Sequence, residues 1–156
     1  MTECVGSRVQ SKRGVPQGPP QFSHLGLASR RTRRSAPGFP FSDVLSDEPK
    51  VSTGIVSALS GVANNVNHLQ HTAPINPGNS GGPLLDGLAR VIGGNNARLA
   101  IDGQQNTNFA IHGAVVTQLL DSLGVAYSRV AGGMPAAVPD IARRANGFTV
   151  KILCHA

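Results

Sequence analysis

The sequence predicts a mostly β protein, in which six short antiparallel strands close a single barrel and a helix packs across its end. Three observations predict it. Nineteen Gly and eleven Pro are spread between short Val, Ile and Leu runs, so turns recur too often for a bundle of long helices. The 156 residues are 40% hydrophobic, which is the size and apolar content of one core. The stretch from 113 to 123 carries a helical apolar period beside these strand-like runs.

Residues 1–37 come first and read as a disordered basic arm. They have no sustained helical or strand period, several Pro and Gly, and the cluster Arg30-Arg31-Thr32-Arg33-Arg34. Seven basic side chains stand there against Glu3 alone, so this segment carries the whole net charge of +6, and the remaining residues balance at seven of each sign. Such arms bind nucleic acid or acidic surfaces. Phe22 is the arm's only aromatic side chain for stacking on bases, which argues against nucleic acid as a partner. Residues 1–30 lack the continuous apolar core of a secretory signal, and no apolar run approaches the length of a bilayer span. No membrane partner is therefore expected, and the compartment stays unassigned.

Residues 38–127 form the expected barrel. Strands are read at 51–59, 70–73, 82–85, 89–93, 98–100 and 107–111, separated by Gly, Asn, Pro and Asp turns. Asp86-Gly87 and Asp102-Gly103 are hairpin signals. The helix at 113–123 places Val115, Val116, Leu119, Leu120 and Leu123 on one side. Residues 128–156 hold a Gly/Pro linker at 131–139, a short helical run at 140–145 and an alternating terminal strand at 148–152. Asp140 is placed to cap that second helix.

The chemistry is concentrated in Gly78-Asn79-Ser80-Gly81-Gly82-Pro83, followed by the apolar pair Leu84-Leu85. A serine nucleophile needs backbone N–H groups beside the oxyanion it creates, and glycines let that backbone come close. Gly78, Asn79 and Ser80 are the candidate donors. A Gly-x-Ser-x-Gly pattern also occurs in ordinary glycine-rich turns and in hydrolases of unrelated folds, so the flanks decide between these readings.

Four stretches of those flanks share one likeness. They are Gly38-Phe39-Pro40 with Val51-Ser52-Thr53-Gly54-Ile55-Val56-Ser57-Ala58, the whole run from Leu69 to Leu84, Val91-Ile92-Gly93-Gly94, and Asn106-Thr107-Asn108-Phe109-Ala110-Ile111. Together they resemble the C-terminal half of the trypsin-like serine peptidases, in particular the bacterial HtrA/Deg group. The resemblance implies that the fold is the second barrel of a double-barrel peptidase and that Ser80 is the nucleophile, with Gly78 and Asn79 in its oxyanion hole. It further implies that substrate lies between Thr72, Ala73, Pro74 and Ile75 on one wall and Asn108, Phe109, Ala110 and Ile111 on the other. That second wall would pair with the peptide by strand addition. All eight residues are uncharged, so small or medium apolar side chains are the expected preference.

A serine hydroxyl is a poor nucleophile until an imidazole takes its proton and a carboxylate orients that imidazole. In this family both come from the first barrel, which the likeness does not reach, and no general base or orienting acid is identified. His24 lacks the family's context for the base, His68 and His71 lie in the approach to the nucleophile loop and read as exposed polar residues, His112 follows the 107–111 strand and is expected to face solvent, and His155 is next to the C-terminus. Asp43, Asp47 and Glu48 read as loop surface. The histidines lack metal-site spacing, and Cys4 and Cys154 stand far apart, so neither a metal nor another cofactor is expected.

Two readings follow. The chain is a serine-type endopeptidase domain, truncated to its C-terminal half, acting on polypeptides through a Ser80 acyl-enzyme. Alternatively, it is a catalytically inactive remnant that binds peptides or proteins. A lone second barrel exposes the apolar face that its partner barrel would cover, so a homo-oligomer hiding that face is the further expectation.

Overall fold

The computed structural model describes residues 6–10, 19–23, 32–40, 49–99 and 106–155. The elements run β1 (Gly6–Gln10), β2 (Gln21–Ser23), β3 (Arg33–Gly38), β4 (Lys50–Ala58), β5 (His68–His71), β6 (Pro83–Leu85), β7 (Val91–Arg98), β8 (Asn108–His112), α1 (Gly113–Ser122), β9 (Ser128–Val130), α2 (Val138–Ala145) and β10 (Lys151–His155). Six of the strands, in the order β6-β3-β4-β5-β8-β7, close into an antiparallel barrel through the β6–β7 pairing. β2 and β9 extend the sheet in parallel from β7, and β1 pairs with β10 in a separate ribbon. Among the described residues no helix is long and apolar enough to cross a membrane.

Successive side chains on a strand point to opposite faces, and this alternation builds two cores. Leu84 and Ile92 point into the barrel with Ala36, Val56, Leu69 and Ala110. Their neighbours Leu85 and Val91 point outward and meet Phe22, Ile141 and Ala145 under the two helices. Leu84 and Leu85 are both fully buried, each worth about 1.5–3 kcal/mol relative to exposure. A six-stranded barrel with packed helices is the architecture expected from the sequence. Its strands are not all the expected ones.

The strand expected at 98–100 is not separate where the structure describes it: Arg98 is the last residue of β7, and residue 100 lies outside the described residues. β7 runs unbroken from Val91 to Arg98 through Gly93-Gly94-Asn95-Asn96, which reads locally as a turn. A bulge between Asn95 and Ala97 absorbs the irregularity, and the Asn95 side chain donates to the Pro83 carbonyl at 3.1 Å. Gly93 is required by close approach, since a Cβ there would stand 2.5 Å from the Ile111 carbonyl oxygen.

The sixth strand is β3, from the segment expected to be a disordered arm. Arg34, Ser35, Ala36 and Pro37 are buried in it, and Phe22 of β2 belongs to the outer core. Burial pushes the Arg34 guanidinium below its ordinary value, and the charge of Asp86 partly offsets that. The structural boundary therefore does not fall at residue 37, because a strand made of charged and small residues is held by partners far along the chain.

The helices differ from expectation in detail. α1 is capped by His112, whose Nδ1 accepts from the Ala114 N–H at 3.2 Å, so this half-buried side chain serves as a helix cap, a role not expected of it from the sequence. Val116 and Leu120 pack on the outer core, whereas Leu119 and Leu123 are exposed, because only a narrow stripe of α1 faces the barrel. In α2 the capping position is Ala137, and Asp140 instead pairs with Arg143 at 2.7 Å within the helix. The terminal strand begins at Lys151 rather than 148, and Phe148 packs against the outer core.

Candidate active site

The loop from the end of β5 to β6 presents the serine. The Gly78 carbonyl accepts from the Phe39 N–H at 3.3 Å. On the other side, the Gly81 N–H donates to the Asn95 carbonyl and the Asn95 N–H to the Gly82 carbonyl, both at 2.8 Å. The loop is thus fixed at both ends, with Gly78 and Gly81 at positive φ. Between them Ser80 is exposed, and its Oγ donates to the Asn96 carbonyl at 3.3 Å.

Among the described residues, the N–H groups of Gly78 and Ser80 donate to no backbone acceptor. Within that set they are available to a ligand oxygen beside the Ser80 hydroxyl. Asn79 is different: its N–H is committed to the Asn76 carbonyl at 2.9 Å, and its side chain is buried against Gly38. The expectation that the Asn79 N–H contributes to an oxyanion hole does not fit this geometry, because a turn bond already uses it.

The expected substrate walls are placed as follows. Ala73 and Ile75 lie in the barrel core, Thr72 is tied to β4 through the Ile55 N–H, and Pro74 is exposed. On β8, Phe109 and Ala110 are buried, Ile111 is half-buried, and the buried Asn108 side chain donates to the Ala73 carbonyl at 3.0 Å. β8 is paired on both edges, to β5 and to β7, so it offers no edge for the peptide addition expected of it. The strand that faces Ser80 is β7. Its pairing to β6 ends at Gly94, and Asn96, Ala97 and Arg98 beyond that point are exposed. Asn96 is the residue that sequence reasoning missed, since its neighbourhood to Ser80 depends on barrel order and leaves no local signal.

No histidine bonds Ser80 among the described residues. His68 comes nearest by connection, its Nε2 standing 3.4 Å from Nδ2 of Asn96, the residue whose carbonyl holds the serine hydroxyl. His24, Asp43, Asp47, Glu48, Asp102 and Cys4 lie outside the described residues. Asp86 is a turn residue, bonded to the Leu88 and Arg90 N–H groups. No cluster of three or more metal-ligating side chains occurs among the described residues.

His71 is fully buried rather than exposed, because the inward face of β5 carries both Leu69 and His71. Neither ring nitrogen has a hydrogen-bond partner of normal geometry. Burial pushes the imidazole down to about 4, offset only in part by backbone groups at Ala73 and Phe109. The neutral ring is favoured in the folded state, whereas the unfolded chain takes up a proton near 6.5. Stability from this residue is complete above pH 6.5 and is lost as the pH falls toward 4, by roughly 3 kcal/mol in all. Urea unfolding between pH 7 and 4 is expected to show that loss, and His71→Leu to flatten it; an unchanged slope would assign the loss to another group.

With that geometry in view, three comparisons with known proteins agree. A family model described as the trypsin-like peptidase domain matches residues 8–93, beginning well before the motifs at residue 38. An uncharacterised Sinorhizobium fredii protein, y4bJ, is 37% identical over 126 residues, covering 76% of this chain and 20% of its own length. The periplasmic serine endoprotease DegP of Salmonella typhimurium is 42% identical over 88 residues, which are 53% of this chain and 18% of DegP. Among solved structures, the HtrA-type protease AlgW with a tripeptide aligns at a TM-score of 0.55 and 30% identity, over 66% of this chain and 35% of that one. The chain thus spans about a fifth of these curated relatives.

Proposed function

The chain belongs to the trypsin-like peptidase domain family, and from that premise we propose that it is a serine endopeptidase domain whose nucleophile is Ser80. The observation that carries the proposal is the exposed Ser80 hydroxyl flanked by two N–H groups, those of Gly78 and Ser80 itself, that donate to no backbone acceptor among the described residues. In this reading Oγ attacks a peptide carbonyl, and the resulting oxyanion accepts from the two N–H groups. The amine then departs, and water hydrolyses the acyl-enzyme. The peptide runs along the exposed end of β7, beside the Asn96 carbonyl. A small or medium apolar side chain remains the expected preference.

The proton of Ser80 needs a base that the described residues do not supply. Without one, the oxyanion hole and binding alone sustain about 10³–10⁴-fold acceleration over water. That gap favours a second reading, a peptide-binding module without turnover. A homo-oligomer is part of either proposal, and the exposed apolar side chains Ile55, Val62 and Val66 are ones it would cover.

A fluorophosphonate probe and a fluorogenic peptide, applied to the chain beside its Ser80→Ala variant, separate the two readings. Labelling and hydrolysis that vanish in the variant are expected of the peptidase. Equal signals from both proteins would remove the nucleophile assignment and leave peptide binding.

A further inference from the structure

The strand edge beside Ser80 carries a charge. β7 pairs with β6 only as far as Gly94, and Asn96, Ala97 and Arg98 continue past that point as exposed residues. The Asn96 carbonyl, which accepts from Ser80 Oγ at 3.3 Å, marks where this edge meets the nucleophile. Arg98 stands two residues further on, about 6.6 Å along the strand.

Pairing on the other edge fixes where the peptide groups of Arg98 point. Arg98 lies opposite Asn108, and at the next position the Leu99 N–H donates to the Thr107 carbonyl at 2.8 Å. Hydrogen-bonded and non-bonded pairs alternate along an antiparallel ladder, so the N–H and carbonyl of Arg98 turn away from β8 toward the open edge. A peptide strand added there pairs with Arg98, and its residue directly opposite comes within about 4.5–5.5 Å, Cβ to Cβ.

Arg90, Arg129, Arg143 and Arg144 are used by the fold. Arg90 pairs with Asp86 and Arg143 with Asp140, while Arg129 bonds the Tyr127 hydroxyl at 3.0 Å and Arg144 the Leu88 carbonyl at 3.4 Å. Arg98 is exposed, and neither of the two ion pairs among the described residues includes it. Its guanidinium presents N–H donors in a fork that matches a carboxylate.

We propose that Arg98 selects an acidic side chain in the peptide, about two residues from the one held at Ser80. The proposal rests on the reading that a peptide runs along β7 to Ser80. It adds a charge to the apolar preference at the cleaved position and makes acidic segments the favoured substrate class. Opposite charges across an exposed strand pair favour glutamate over glutamine by about two- to fivefold in binding.

Fluorescence anisotropy with the full chain carrying Ser80→Ala tests this without turnover, in a buffer of low ionic strength where such pairs are least screened. The probes are fluorescein-labelled alanine/valine nonapeptide amides whose central residue is glutamate, glutamine or lysine. The glutamate probe is expected to bind about two- to fivefold tighter than the glutamine probe, with the lysine probe weakest. Arg98→Gln should erase that order, Arg98→Lys should keep it, and Arg98→Glu should reverse it in favour of lysine. Arg143→Gln removes the same charge from α2 and should leave the order intact. Equal binding of the three probes overturns the role of Arg98 but not the peptide cleft. An order that survives Arg98→Gln, or that Arg143→Gln erases equally, places the selecting charge elsewhere and also overturns it. Binding of no probe overturns the cleft, and this proposal with it. Arg98 is exposed, and thermal melts of each variant check that it is folded.

Discussion

Replacing Gly78 with alanine is expected to abolish probe labelling of Ser80 and to destabilise the domain by about 2–6 kcal/mol. The backbone at Gly78 has φ of +98°, a conformation that costs a side-chain-bearing residue about 1–3 kcal/mol. Sterics add to the strain. A Cβ would stand 2.3 Å from the Phe39 carbonyl oxygen and 3.2 Å from the Pro40 Cα, and both are backbone atoms that no rotamer change can move. Overpacking of this kind costs about a further 1–3 kcal/mol. Relief would require Phe39 to withdraw from its bond to the Gly78 carbonyl, and that bond holds the N–H of Gly78 beside the serine. Gly81→Ala is the control, because Gly81 also has positive φ, +79°, but nothing lies within 4 Å of its added Cβ. It should show the strain alone. Melting temperatures and labelling rates of the two variants measure the contrast, and equal losses would mean that the Phe39 contact does not shape the loop.

The nucleophile loop was legible because the residues that identify it are adjacent in sequence. Gly78, Ser80 and Gly81 form one short motif, although the contacts that hold the loop, to Phe39 and Asn95, come from elsewhere in the chain. β5 was legible too, but incompletely. Leu69 and His71 share a face at a spacing of two, so the alternation itself places His71 inside once Leu69 is taken as core. The lone polar identity of the histidine obscured a signal that was present. β3 was not legible in the same way. Arg33-Arg34-Ser35 looks solvated, and the burial of Arg34 and Ser35 comes with pairing to β4 and to β6, whose Leu85 lies fifty residues after Ser35. The exchange of β8 for β7 as the wall facing Ser80 is likewise non-local. Both strands carry a suitable pattern, and barrel order alone decides which has a free edge.

Asp86 forms a buried ion pair with Arg90, and Asp86→Ala is expected to cost about 3–5 kcal/mol, the range for breaking such a pair from one side. The carboxylate is 3% exposed. One oxygen accepts from the Leu88 N–H at 2.9 Å and the Arg90 N–H at 3.0 Å, closing the turn between β6 and β7. The other accepts from Arg90 Nε at 2.8 Å and pairs with Nη2 at 2.7 Å. Arg90 in turn donates through Nη1 to the Val130 carbonyl at 2.9 Å, which fastens the end of β9 to the barrel. Alanine therefore leaves two backbone N–H groups without an acceptor and a guanidinium with little solvent access and no counter-ion. It also removes the negative charge that offsets the burial of Arg34. For a domain of this size the melting temperature should fall by roughly 10 °C. The double variant with Arg90→Ala separates the turn from the ion pair. If the pair dominates, the double variant is less destabilised than the two single losses added together, since the second substitution removes the cation that the first left unpaired. Strict additivity would mean that the turn bonds carry the stability, and a loss below about 1 kcal/mol would mean that Arg90 is solvated like an ordinary surface ion pair.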